Sequence, residues 1–124
     1  MSRPSELDVN DFQSRLNPTR VGRIEAPASE ERVAELVREA GQNGAYVCIA
    51  GGRHSMGGQQ FAEGALLLDM RELNGVISLD RSSGLMEVEA GIQWPDLIGY
   101  LHDEQSSDDA PWAIRQKQTG VDDV

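Results

Sequence analysis

The segment IAGGRHSMGGQQ, residues 49 to 60, constrains this chain more than any other. An apolar run, Tyr46 to Ala50, leads into it, and Gly51, Gly52, Gly57 and Gly58 bracket Arg53, His54, Ser55 and Met56. A short apolar run of this kind reads as a buried strand. Glycines after it let backbone N–H groups come close to a ligand and adopt positive φ. Successive N–H groups in such turns form a concavity for an anion. The loop is therefore a candidate phosphate site.

Two common phosphate loops do not fit. Gly52 and Gly57 have the spacing of a P-loop, but position 58 is Gly where that loop needs Lys. A G-x-G-x-x-G run is absent, and QQFAEG leads on to the apolar LLLD rather than to a helix. A ligand phosphate would then rest on the loop itself, not on a helix N-terminus as in a Rossmann site. The glycines alone serve equally well in a hairpin-like connection that only meets steric needs. His54 is the one side chain in the loop that can act as a nucleophile near neutral pH. A lone loop histidine is more often an exposed surface residue.

The rest of the chain supplies a frame. Residues 1–18 are polar, without pattern, and read as a loose lead-in. Thr19 to Ile24 reads as a short strand. Ser29 to Ala40 is the clearest helix: Ser29 suits the N-cap, Glu30 and Glu31 the first turn, and Gly41 the stop. Val33, Leu36, Val37 and Ala40 make one apolar stripe. Leu66 to Asp69 reads as a strand. Val76 to Leu79 and Leu85 to Ala90 flank a turn at Asp80 to Gly84, as a hairpin. Pro95 to Asp103 predicts a second helix with Leu97, Ile98 and Leu101 as its stripe. Trp112 to Ile114 reads as a last short strand. This order predicts a mixed α+β or α/β fold, with no internal repeat.

Charge and composition exclude some partners. The 124 residues carry a formal net charge of -10, which opposes binding to nucleic acid or an anionic membrane. No apolar run reaches membrane-spanning length, and MSRPSELDVNDF lacks the apolar core of a signal peptide. The single cysteine, Cys48, fits a cytoplasmic setting and reads as a small buried hydrophobe. No Cys/His cluster has metal-ligand spacing. Asp108-Asp109 and Asp122-Asp123 read as solvated surface, and His102 as a surface histidine stabilised by its helix end. Trp94 and Trp112 read as core or interface anchors.

From about Arg20 to Val124 the chain resembles the FAD-binding domain of the vanillyl-alcohol oxidase / p-cresol methylhydroxylase (PCMH-type) flavoproteins. The resemblance rests on Ile24-Glu25-Ala26-Pro27 before a helix, IAGGRHSMGG, LLLDMRELN and VEAGIQWPDLIGYL. It implies the first α/β subdomain of such a domain over residues 19–124, with FAD as cofactor. It also implies that Ala50, Gly51, Gly52, Arg53, Ser55, Met56, Gly57 and Gly58 contact the FAD pyrophosphate, chiefly through backbone N–H groups. His54 falls where many relatives bond covalently to the 8α methyl of the flavin; the GRHS order is similar to alditol-oxidase and sugar-lactone-oxidase relatives. Gly91 stands either close to FAD or in a plain strand-to-helix turn.

The resemblance implies an oxidase or dehydrogenase acting on CH–OH groups of a sugar, polyol or aldonolactone. Relatives continue into a second subdomain and a substrate domain, and this sequence reads as stopping before them. It names no catalytic acid, base or substrate contact. Two further expectations stand beside covalent attachment: FAD held without a covalent bond, with His54 a spectator, and a truncated chain with no activity of its own. A partial cradle also predicts uncovered apolar surface and self-association.

Overall fold

The computed structural model describes residues 6–115 of the 124-residue chain. The elements in chain order are β1 (Asp8–Val9), β2 (Thr19–Arg20), β3 (Arg23–Glu25), α1 (Glu30–Gln42), β4 (Val47–Ala50), β5 (Leu66–Asp69), β6 (Val76–Asp80), β7 (Leu85–Val88) and α2 (Trp94–Glu104), with a single 3-10 turn at Met70–Glu72. Strands β3, β5 and β4 form a parallel sheet in that order, so the fold is mixed α/β with two helices.

The central strand explains the LLLD run. Every residue of β5 is buried, as expected for a strand covered on both faces. On one face Leu66 and Leu68 meet Leu36 and Ala40 of α1. On the other, Leu67 meets Val9, Val21, Ala50 and Phe61. Cys48 packs, half-buried, against this second cluster.

Strand β4 is an edge, not a fully buried strand. Register pairs Val47 with Leu66 and Ile49 with Leu68, which puts both on the α1 face. Yet Val47 is 37% and Ile49 61% exposed, because α1 covers β5 and leaves β4 open. Val37 of the predicted stripe is likewise exposed, while Leu36 and Ala40 are buried.

Helix α1 starts as predicted, with Ser29 Oγ accepting from Arg32 N–H at 3.2 Å. It runs through Gly41 to Gln42 rather than stopping at Gly41. The left-handed residue that ends it is Gly44, at φ +65°, and Ala45 N–H closes onto the Ala40 carbonyl at 2.9 Å.

The expected strand over Thr19 to Ile24 is split into β2 and β3. Val21 N–H turns to the Leu7 carbonyl and Gly22 N–H to that of Ala65. A side chain at Gly22 would put its Cβ 2.5 Å from the Gly64 carbonyl oxygen, so only glycine passes there. Residues 6–18, expected to be a loose lead-in, instead carry β1 and bury Val9 and Asp11. Their polar side chains satisfy one another, so the segment needs little apolar surface to hold a shape.

The second half is the expected hairpin followed by the expected helix. Asp80 accepts from Ser82 and Ser83, and Gly84 takes φ +73° to close the turn between β6 and β7. In α2, Leu101 is buried and Ile98 is 39% exposed. Trp112 to Ile114 forms no strand. The Gln105 side chain accepts from Trp112 N–H at 2.8 Å and donates to its carbonyl at 3.0 Å, occupying both groups a neighbouring strand would need. Gly91 is buried against the carbonyls of Met70 and Leu73, where a Cβ would lie 1.7 Å from Met70 oxygen; this close backbone approach requires a glycine. Asp122 and Asp123 lie outside the described residues. No helix among the described residues is long and apolar enough to cross a membrane.

Candidate functional site

The glycine loop joins β4 to β5, and these strands are parallel. Parallel neighbours need a crossover, so the loop is not a hairpin connection. It carries no helix, and Arg53 sits at φ +60°. Non-glycine residues rarely adopt that conformation; where they do, the surroundings hold them there.

Among the described residues, none of the backbone N–H groups of residues 52–57 donates a hydrogen bond. Six consecutive amides are therefore free to take an anion. Gly51, Gly52, Arg53, His54, Ser55 and Gln60 line an open depression of about 290 Å³. No atom lies within 4 Å of where a Gly51 Cβ would stand, so that stretch is bare backbone facing open space. A second cleft, about 250 Å³, is lined by Phe12, Gly52, His54, Arg71, Gln93, Pro95 and Asp96. Gly52 and His54 thus stand between the two. Met56, Gly57 and Gly58 line neither. Ala50 ends β4 buried, paired with Asp69. A larger groove between α2 and residues 111–115 is apolar, without the loop's free donors.

The half-buried His54 has Gln13 Nε2 2.9 Å from its Nδ1 and the Phe12 ring 6.2 Å from its own. Beneath the loop lies a charged cluster. Burial pushes the Asp69 carboxyl up, but hydrogen bonds from Arg71 and the charges of Arg71 and Arg53 outweigh it, and the group stays below its ordinary value. Arg71 binds Asp69 through Nε at 2.8 Å and a second nitrogen at 2.5 Å. Arg53 approaches Asp69 at 3.7 Å and lies over the Phe61 ring. Its Nε is buried and has no partner among the described residues. The cluster of two guanidinium groups and one carboxylate is net positive in a chain that is net acidic. It supplies the local attraction an anion needs.

The loop leans on residues the sequence did not single out. Asp11 is 1% exposed, and it accepts from Ser14 N–H, Ser14 Oγ, Arg15 N–H and Asn17 Nδ2. The Asn17 bond, opposed by burial and reinforced by Ser14, holds its carboxyl well below the usual range. Asn17 and Ser14 in turn donate to the Met56 carbonyl, and Phe12 N–H donates to that of Arg53. The one sequence signal is the D-x-x-S spacing of Asp11 and Ser14, which suits a side-chain-capped turn. Arg71 and Gln93 lie in the LLLDMRELN and VEAGIQWPDLIGYL segments, where the sequence assigns neither a role. His102 sits on the surface beside Asp103, as expected, and Asp108 pairs with Arg81.

The donor set fits a diphosphate: unpaired amides, a bare Gly51 and a buried guanidinium nitrogen without a partner. Comparison with known proteins agrees. Residues 22–117 match the family described as FAD binding domain. Over 75 residues the chain is 31% identical to the uncharacterized oxidoreductase ORF5 in fasciation locus of Rhodococcoides fascians, covering 60% of this chain and 17% of that protein. Alkyldihydroxyacetonephosphate synthase is similar in structure in two crystal forms. One gives a TM-score of 0.61 at 28% identity, covering 65% of this chain and 16% of the synthase. The other gives 0.61 at 27%, covering 71% and 18%. The chain therefore spans a minor part of the length of each protein it matches.

Proposed function

We propose, from the premise that this chain belongs to the FAD binding domain family, that its glycine loop holds the FAD pyrophosphate and that His54 tethers the flavin covalently. The parent activity we propose is oxidation of a CH–OH group in a small hydroxylated substrate such as a sugar, polyol or aldonolactone. The observation that carries the reading is the run of unpaired amides at residues 52–57, the arrangement that binds phosphate oxygens without a side-chain cation.

FAD, when bound, supplies a two-electron acceptor. The chain's own residues do the rest. Amides 52–57 take the phosphate oxygens. Arg53, fixed at positive φ and held by Asp69 and Phe61, adds positive charge below the loop. His54 lines both depressions, which supports its meeting a flavin that lies across them. Gln13 holds Nδ1, so the open nitrogen is Nε2.

One observation favours a second reading. The contacts of His54 with Gln13 and Phe12 are also those of a locally bonded spectator, which fits FAD held without a covalent bond. The intact mass of the denatured chain, after expression with ample riboflavin, separates the two. The covalent reading expects a mass raised by one FAD, lost in His54→Ala. Flavin released wholly into the supernatant from the wild type would leave non-covalent binding. No flavin in either fraction would sink FAD binding by this chain.

A further inference from the structure

Three peptide planes of the glycine loop are fixed by hydrogen bonds to their carbonyls, two of them from elsewhere in the chain. The Arg53 carbonyl accepts from Phe12 N–H at 3.0 Å. The Ser55 carbonyl accepts from the Gln60 amide at 3.0 Å. The Met56 carbonyl accepts from Asn17 Nδ2 at 2.7 Å and Ser14 Oγ at 3.3 Å. No peptide bond among the described residues is cis. In a trans peptide the carbonyl of one residue and the N–H of the next point in opposite directions. Capturing these carbonyls therefore aims the N–H groups of His54, Met56 and Gly57 away from the captors. Those three amides have no partner among the described residues.

Two of the three captured carbonyls are bound from residues 12–17, which precede the family match at residue 22. The depression of about 290 Å³ has no wall from that segment, whereas the second cleft takes one wall from Phe12. The segment is also built to stay in place. Asp11 gathers Ser14 and Asn17 through buried or half-buried hydrogen bonds. Gly58, at φ +71°, gives Asn17 its room: a Cβ there would stand 2.8 Å from the Asn17 Cβ.

We propose that residues 11–17 are a working part of the anion site. Phe12 N–H, Ser14 and Asn17 are positioning groups: they bind the Arg53 and Met56 carbonyls and so present the His54 and Gly57 amides to a diphosphate, while Gln60, on the Ser55 carbonyl, does the same for the Met56 amide. This rests on the FAD reading above and adds to it a segment outside the family match.

Inorganic pyrophosphate and FAD, each titrated into the 15N-labelled full chain, test it. The wild type should show the His54, Met56 and Gly57 amides moving downfield with either ligand. Asn17→Leu, of similar volume but without a donor, should bind both about tenfold more weakly, with sheet and α1 amides unmoved. Ser14→Ala should weaken binding less, and serves if Asn17→Leu does not fold. Wild-type binding that leaves those three amides still would overturn the proposal, as would undiminished binding by both variants; the FAD reading would survive either result. A wild type that binds neither ligand overturns the FAD reading itself, and the proposal with it.

Discussion

The parallel sheet and the glycine loop adjoin in the chain, since β4 runs straight into Gly51, yet different forces hold them. The sheet is held by apolar burial. Leu67 and Leu68 are wholly buried, and the two faces of β5 each have their own cluster. The loop offers almost nothing apolar: between Gly51 and Gln60 only Met56 qualifies, and it is 63% exposed. The loop keeps its shape through polar bonds to a segment 39 to 42 positions earlier in the chain. A burial-driven element carries its instructions within its own residues. A bond-driven loop carries half of them somewhere else.

The largest expected effect tests whether the loop depends on the sheet. Leu67→Ala empties a fully buried site between Val9, Val21, Ala50 and Phe61. It should destabilise the chain by about 2–5 kcal/mol in urea unfolding. The loop should be lost in the same transition, because both its ends are strands of that sheet. Loop amides that keep their native shifts after the sheet has unfolded would break the comparison at its base.

A smaller effect runs the other way, opening the loop's support without melting the sheet. The folded Asp11 carboxyl lies below its ordinary value of 3.8. Its contribution is therefore full above that value and is lost as pH falls through and below it. Asp69 and Asp80 are shifted in the same direction, so acid weakens the C-terminal end of β5 and the β6–β7 turn as well. Asp11→Asn separates the contributions. Amide exchange followed from about pH 5 to pH 2 should show Phe12 N–H, bonded to the Arg53 carbonyl, losing protection with acid in the wild type. In the variant it should exchange fast throughout, while β5 amides follow the wild-type curve. Identical Phe12 curves in the two proteins would mean that Asp11 does not set the loop's support.

The same division explains what was legible in the sequence. LLLD, the Ser29 cap with its glutamates, and the Asp80 to Gly84 turn each state their structure within a few residues, and β5, α1 and the hairpin appear where expected. The failures are cases where something outside the segment itself decided. Gly41 has the residue type of a helix stop, but the helix runs on to Gln42 and the left-handed position falls on Gly44, in an Asn43-Gly44 pair that does read as a turn. YVCIA has the composition of a buried strand, but α1 packs on β5 and leaves Val47 and Ile49 exposed. Trp112 to Ile114 reads as a strand, but Gln105 takes both backbone groups of Trp112. The site divides in the same way. The glycines and His54 announce a loop of unusual backbone, whereas Asp11, Phe12, Gln13 and Asn17 lie in a stretch whose composition suggests only solvent exposure. No pattern within residues 6–18 could indicate which carbonyls they would bind.

The smallest expected effect concerns Gln13, the side chain of that segment that hydrogen-bonds to the His54 imidazole. Gln13 is exposed, and a single exposed side-chain bond contributes little, so Gln13→Ala should shift stability by no more than about 0.5 kcal/mol. Its consequence should appear in the ring instead. With the Gln13 NH2 donating, Nδ1 carries the lone pair and the proton sits on Nε2; with the Gln13 oxygen facing the ring, the order reverses. Either way the wild type favours one tautomer, and alanine removes the preference. The two imidazole 15N shifts, well separated in the wild type at a pH where His54 is neutral, should move toward each other in the variant. If they stay put, Gln13 does not orient the ring, and the distant segment acts on the loop only through the carbonyls of Arg53 and Met56. If they converge at unchanged stability, a residue that contributes nothing measurable to the fold fixes which nitrogen of His54 stands open, and the sheet has no counterpart to that role.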